Sequence, residues 1–155
     1  MNDFFAGILG NPLFISAACS WLAAQTAKTI LYFIINHEFN WERIVGAGGM
    51  PSAHSATVCA LVVSTALTYG VRGFEFPMTC FFAFIVMYDA MGVRRETGEQ
   101  AKVLNEIIDQ WFNMGNVLQT RTPMENFKEF VGHTPLQVLV GALIGVLIGS
   151  LVCMY

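Results

Sequence analysis

The chain has 155 residues, of which 55% are apolar and 12% charged, with a formal net charge of −3. An average soluble domain is about 45–50% apolar and about 25% charged, so the composition excludes disorder and argues against a small soluble domain, which could not bury this much apolar surface. A bilayer could accept it, and the mean hydropathy of +0.55 points the same way. With no basic tail and no Lys/Arg run, the chain offers nothing to nucleic acid.

Read from its start, Met1-Asn2-Asp3 lacks the basic region that opens a signal peptide. Crossing the bilayer core takes roughly 20 apolar residues, and four segments qualify, at about 12–35, 52–71, 74–93 and 135–155. The first is apolar except for Gln25, Thr26, Lys28 and small hydroxyls. The second starts with small residues and becomes rich in Val and Leu, and the third is densely aromatic. In the fourth, Gly141, Gly145 and Gly149 recur every four residues. Such a ridge admits a close helix neighbour, and it permits a homodimer. Cys19, Cys59, Cys80 and Cys153 lie far apart in apolar stretches and are expected to be buried packing residues, neither a disulfide framework nor a zinc site.

Residues 94–133 form a polar segment between the third and fourth spans. Over 96–112, Ala101, Leu104, Ile107, Ile108 and Trp111 share one side, which predicts an amphipathic helix on the membrane surface or over the bundle. A loop at 115–123 and a short helix at 124–131 follow. The predicted fold is all-α: one integral-membrane bundle over residues 1–155, with about four transmembrane helices and this amphipathic segment. Four spans place both termini on one side. The two connections on the other side carry Arg43, Arg94, Arg95, Lys102, Arg121 and Lys128, against Arg72 alone opposite them. The positive-inside rule puts those connections in the cytoplasm.

Candidate chemistry gathers at the same boundary. Gly48-Gly49-Met50-Pro51-Ser52-Ala53-His54-Ser55 leads into the second span. The glycines free the backbone, and proline suits a first helical turn. The first N–H groups of a helix lack partners and carry its positive end, so they attract phosphate. Ser52 and Ser55 could add hydroxyl donors, and His54 could supply a proton. A capped helix start with an interfacial histidine is the plainer reading. Gly132-His133-Thr134-Pro135 repeats the arrangement at the fourth span. Two positive helix ends would suit a bound dianion and keep an imidazole neutral enough to attack it.

Tyr88-Asp89-Ala90-Met91-Gly92-Val93-Arg94-Arg95 ends the third span. Arginine grips phosphate oxygens bidentately, although basic residues there also satisfy orientation. Asp89 in an apolar run is costly unless paired, so it is expected to face the bundle and hold an arginine. Lys28 could snorkel to the surface or reach a phosphate pocket, and Gln25 one turn earlier favours the pocket. Glu96, Glu99, Asn105, Glu106 and Asp109 spread around a helix, as on a solvated face.

Assembled, these residues resemble the type 2 phosphatidic acid phosphatase superfamily. The Gly-Gly-Met-Pro-Ser-Ala-His-Ser-Ala, Tyr-Asp-Ala-Met-Gly-Val-Arg-Arg, Gly98-x-Gln100-Ala101-x-x-Leu104-Asn105 and Gly-His-Thr-Pro stretches are similar to its small, divergent membrane branch. The resemblance covers about residues 20–150. It implies a metal-independent lipid phosphatase without a cofactor. His133 would attack phosphorus and His54 would protonate the leaving alcohol. Lys28, Ser52, Ser55 and Arg94 or Arg95 would bind the phosphate.

Two departures stand out. The superfamily's third motif has an arginine six residues before the nucleophilic histidine, where this chain has Phe127. It also has an aspartate four residues after that histidine, where this chain has Gln137. Gln137 could still orient the ring, and Asp89 or Glu129 could supply a carboxylate. The expected substrate is a lipid phosphomonoester or diphosphate in the cytoplasmic leaflet. Two other readings compete with it. One is a metal-assisted phosphatase using Asp89, Glu96, Glu99 and Glu106 with a histidine. The other is a non-catalytic lipid-phosphate binding or transport protein.

Overall fold

A computed structural model describes residues 2–37, 48–113 and 132–155. Every regular element among them is a helix: α1 (Asn2–Leu9), α2 (Pro12–Asn36), α3 (Ala53–Tyr69), α4 (Glu75–Met91), α5 (Val93–Asn113) and α6 (Pro135–Met154). Pro12–Asn36, the Glu75–Trp111 stretch that joins α4 to α5, and Pro135–Met154 are long and apolar enough to cross a membrane. With 17 residues, α3 is shorter, but it lies at the lower edge of the range of about 17–25 residues for a crossing helix. The protein is thus an all-α membrane bundle. The sequence did not predict α1. The predicted elements at 115–123 and 124–131 lie outside the described residues.

The helix starts follow from their capping residues. Asn11 accepts the N–H groups of Leu13 and Phe14, and Pro12 opens α2. Ser52 caps α3 by accepting the Ser55 N–H. Thr134 caps α6, followed at once by Pro135. Each arrangement satisfies amide groups that a helix start otherwise leaves orphaned.

At the centre is α3, with α2, α4 and α6 packed around it. Its neighbours approach closely because their facing residues are small. On α2, the stripe Ser16, Ser20 and Ala24 is fully buried, and the Ser20 hydroxyl donates to the Ala56 carbonyl at 3.0 Å. On α6, a Cβ added at Gly141, Gly145 or Gly149 would strike the carbonyl oxygens of Ser52, Ala56 and Ala60 respectively. The register advances by four residues on both helices, so α3 and α6 run parallel. The glycine ridge that permitted a homodimer is therefore occupied by α3 of the same chain. The core is correspondingly thin in large side chains, and Ala24, Ala53 and Ala56 form its centre with Ile144 against them.

Large apolar residues such as Phe81, Phe84, Ile85, Leu139, Leu143 and Leu147 point outward, as the bilayer requires. The expectation of buried cysteines is corrected. Cys19 is exposed, Cys59, Cys80 and Cys153 are partly buried, and all four are free. In a helix bundle held by small residues, there is little interior left for them to fill.

Candidate active site

Parallel packing of α3 and α6 brings two helix N-termini to one end of the bundle. The Ser52 N–H donates to the Gln137 carbonyl at 3.0 Å, and the His133 N–H donates to the Ala90 carbonyl at 2.9 Å. These bonds tie the starts of α3 and α6 to the end of α4. Gly132 packs directly on the backbone of Arg95, where a Cβ would collide with it. Gly48 and Gly49 have φ of 87° and 81°, a region open to glycine at little cost. The backbone of Gly49 lies over the aliphatic stem of Lys28, within 3.5 Å of where a Cβ would stand.

His54 and His133 meet at this end with ring centroids 6.0 Å apart. His133 is buried, at 2% exposure. Its Nδ1 lies 3.2 Å from Gln137 Oε1, and the same oxygen accepts the Thr134 N–H at 3.1 Å. That backbone donor fixes which end of the amide faces the ring, so His133 Nδ1 carries the proton. Its Nε2 then holds the free lone pair. Burial pushes the His133 imidazole below its ordinary value. The bond to Gln137 opposes this, and the charges of His54, Lys28 and Arg94 reinforce it.

Next to the histidines lies a cavity of about 400 Å³. From α2 it takes Trp21, Gln25 and Lys28, which share one helix face. From α3 it takes His54, Thr57 and Val58, and Arg94 closes its polar end. Lys28 is 4% exposed, so it turns into the cavity and does not snorkel. Arg94 Nε donates to Asp89 Oδ2 at 2.7 Å, with both side chains about half-exposed. Asp89 thus holds an arginine as expected, but at the rim and not within the bundle. The terminal guanidinium nitrogens of Arg94 are left free of that bond.

Other sequence candidates are placed elsewhere. Arg95 is exposed and does not line the cavity. Ser52 and Ser55 are fully buried, and the Ser55 hydroxyl donates to Ser52 Oγ at 3.0 Å. They build the start of α3 and do not form the cavity wall. His133 is not part of that wall either, and meets it through His54, whose ring centroid is 6.0 Å away. Glu129 lies outside the described residues. Among the described residues no three His, Cys, Asp or Glu side chains gather into a metal-ligand cluster, so Asp89, Glu96, Glu99 and Glu106 do not converge. Sequence reasoning missed Trp21, Thr57 and Val58 as lining residues. The spacing of Trp21, Gln25 and Lys28 at i, i+4 and i+7 was the available signal.

A family model described as the divergent PAP2 family matches residues 9–148. The uncharacterized membrane protein YuiD of Bacillus subtilis (strain 168) is 35% identical over 147 residues, covering 91% of this chain and 93% of that protein. No solved structure matches the chain. The match spans both histidine motifs, the arginine pair and Lys28, and on that extent the chain belongs to the divergent PAP2 family.

Proposed function

We propose that the protein is a membrane phosphatase that hydrolyses a phosphomonoester or diphosphate of a lipid at the cytoplasmic leaflet, through a phosphohistidine intermediate. The observation that carries this reading is the pair of imidazoles at two parallel helix starts, 6.0 Å apart, beside a cavity holding Lys28 and Arg94. A nucleophile within about 3–3.5 Å of phosphorus on one side and an acid within about 2.6–3.2 Å of the leaving oxygen on the other call for two groups several ångströms apart across one phosphate, which the facing rings of His54 and His133 offer.

In this mechanism His133 Nε2 attacks phosphorus while protonated His54 gives its proton to the departing lipid oxygen. The P–O bond breaks as the P–N bond forms. His54, now neutral, takes a proton from a water that attacks the phosphohistidine. Inorganic phosphate leaves, and both rings return to their starting states. Lys28, Arg94 and the N–H groups at the start of α3 stabilise the extra negative charge of the transition state. Asp89 and Gln137 act through Arg94 and His133, as positioning residues. Gln137 differs from an aspartate because an amide cannot offset positive charge on the phosphorylated ring.

The test is phosphate release from a panel of lipid phosphates by the purified protein in detergent, with and without EDTA, beside His133→Ala. Release that survives EDTA and disappears in His133→Ala is the expected result. Loss with EDTA would replace it with metal-assisted hydrolysis. Saturable lipid-phosphate binding without release would make the site a binding cradle.

A further inference from the structure

The cavity is polar at one end and apolar at the other. The polar end holds Lys28, His54 and Arg94, and the apolar end holds Trp21, Phe82 and Val86. Trp21 precedes Lys28 by seven residues, about 10 Å along the axis of α2. Phe82 lies on α4 before Asp89 by the same count, and both helices run toward the polar end. The two aromatic rings therefore stand on the same, membrane-embedded side of the phosphate-binding groups. Among the described residues no Cα of α2 comes within 8 Å of a Cα of α4, although both helices pack on α3. Among the described residues the gap between them is floored by α3, through Ala53, His54, Thr57 and Val58, and is uncovered at the side. Trp21 is 41% and Phe82 53% exposed at its rim. A second hollow of about 250 Å³ shares Trp21 and Gln25 and runs along α2 past Thr26 to Ile30, back toward the polar end.

A cavity of about 400 Å³ sits near the low end of the range of about 300–1,000 Å³ for small-molecule sites. A lipid chain reaching the bilayer midplane extends about 15 Å, half the hydrocarbon thickness, which is longer than the roughly 10 Å between Lys28 and Trp21 along α2, so it runs on past Trp21 to the rim. Resting on the phosphatase reading, we infer that the hydrocarbon chain of the lipid substrate leaves the site sideways between α2 and α4, and that Trp21, Phe82 and Val86 select which chains are accepted. The gradient from cationic end to aromatic rim matches an amphiphile with phosphate at its head. The occupant of the gap is one hydrocarbon chain of that lipid.

The experiment compares kcat/KM for dodecyl phosphate and for water-soluble p-nitrophenyl phosphate. Phe82→Trp and Val86→Phe narrow the gap. Each is expected to lower the lipid-to-soluble ratio about tenfold or more, the scale on which apolar pockets discriminate. Leu147→Trp, on the outer face of α6, leaves the ratio unchanged. Parallel losses on both substrates, or an unchanged ratio in the narrowed variants, would overturn the proposal. A second readout needs no turnover: dodecyl phosphate carrying a terminal diazirine is photolysed in the bound state and the labelled peptides are mapped. Label on α2 and α4 supports the lateral path, and label confined to α6 overturns it. If neither ester is hydrolysed the phosphatase reading fails, and the label map still decides the path.

Discussion

At the residue scale, the proposed mechanism turns on His133 and its bond to Gln137. Burial holds the imidazole below the ordinary histidine value of 6.5. A nucleophile must be neutral, so the acid limb of the pH–rate profile should lie below pH 6.5, while the opposite limb belongs to loss of the His54 proton. Gln137→Glu keeps the length and both hydrogen bonds but adds a carboxylate. An opposite charge in contact favours the imidazolium, so the acid limb of kcat/KM should move up by about 1–3 pH units. Gln137→Leu removes the acceptor, so the limb should move down and kcat should fall as the ring loses its tautomer. A pH–rate profile of the three proteins checks this, and an unmoved limb in Gln137→Glu would remove His133 from the rate-determining ionisation.

Much at this scale was legible in sequence. Lys28, His54, His133 and Gln137 stand where their motifs put them, at one end of the bundle. The choice between Arg94 and Arg95 was not legible. Adjacent residues on a helix diverge by about 100°, and only packing shows which of the two faces the cavity. Ser52 and Ser55 were ambiguous for a related reason. A hydroxyl at a helix start can cap it or bind an anion, and here the pair bond each other.

At the element scale, the site exists because α3 and α6 lie parallel in one register. The glycine ridge sets that register. A side chain at Gly145 would meet the Ala56 carbonyl and the Cys59 Cβ, and neither can retreat without moving α3. Overpacking of this kind typically costs about 1–3 kcal/mol. Gly145→Val should therefore lower the thermal midpoint in detergent and weaken activity, because it pries apart the two histidine-bearing helix starts. Gly7→Ala meets nothing within 4 Å and should leave both unchanged. If Gly145→Val instead dissociated a dimer without loss of monomer stability, the ridge would be an intermolecular contact. The ridge was plain in the sequence, but its partner was not, since small residues at four-residue spacing fit a neighbour in the same chain or in another. The matching stripe Ser16, Ser20 and Ala24 was available on α2 and was read only as a set of tolerated hydroxyls.

At the scale of the whole molecule, the spans were read well because apolar length and helix-capping residues are local properties. The predicted 12–35 and 135–155 compare with Pro12–Asn36 and Pro135–Met154. The arrangement around α3 was not legible. Where both lipid and neighbouring helices are apolar, periodicity does not separate the face that meets one from the face that meets the other. Orientation rests on charge. Arg94, Arg95 and Lys102 follow the end of α4 that meets the two histidines, whereas Arg72 follows the opposite end of α3. The positive-inside rule then predicts that the histidines face the cytoplasm. In a background lacking the four native cysteines, Lys102→Cys and Arg72→Cys place thiols at exposed positions on the two ends. A membrane-impermeant maleimide added to intact cells should label Arg72→Cys and reach Lys102→Cys only after the membrane is broken. The reverse pattern would turn the site outward. The substrate would then be a phosphate lipid of the outer leaflet, although the geometry of the two histidines would stand unchanged.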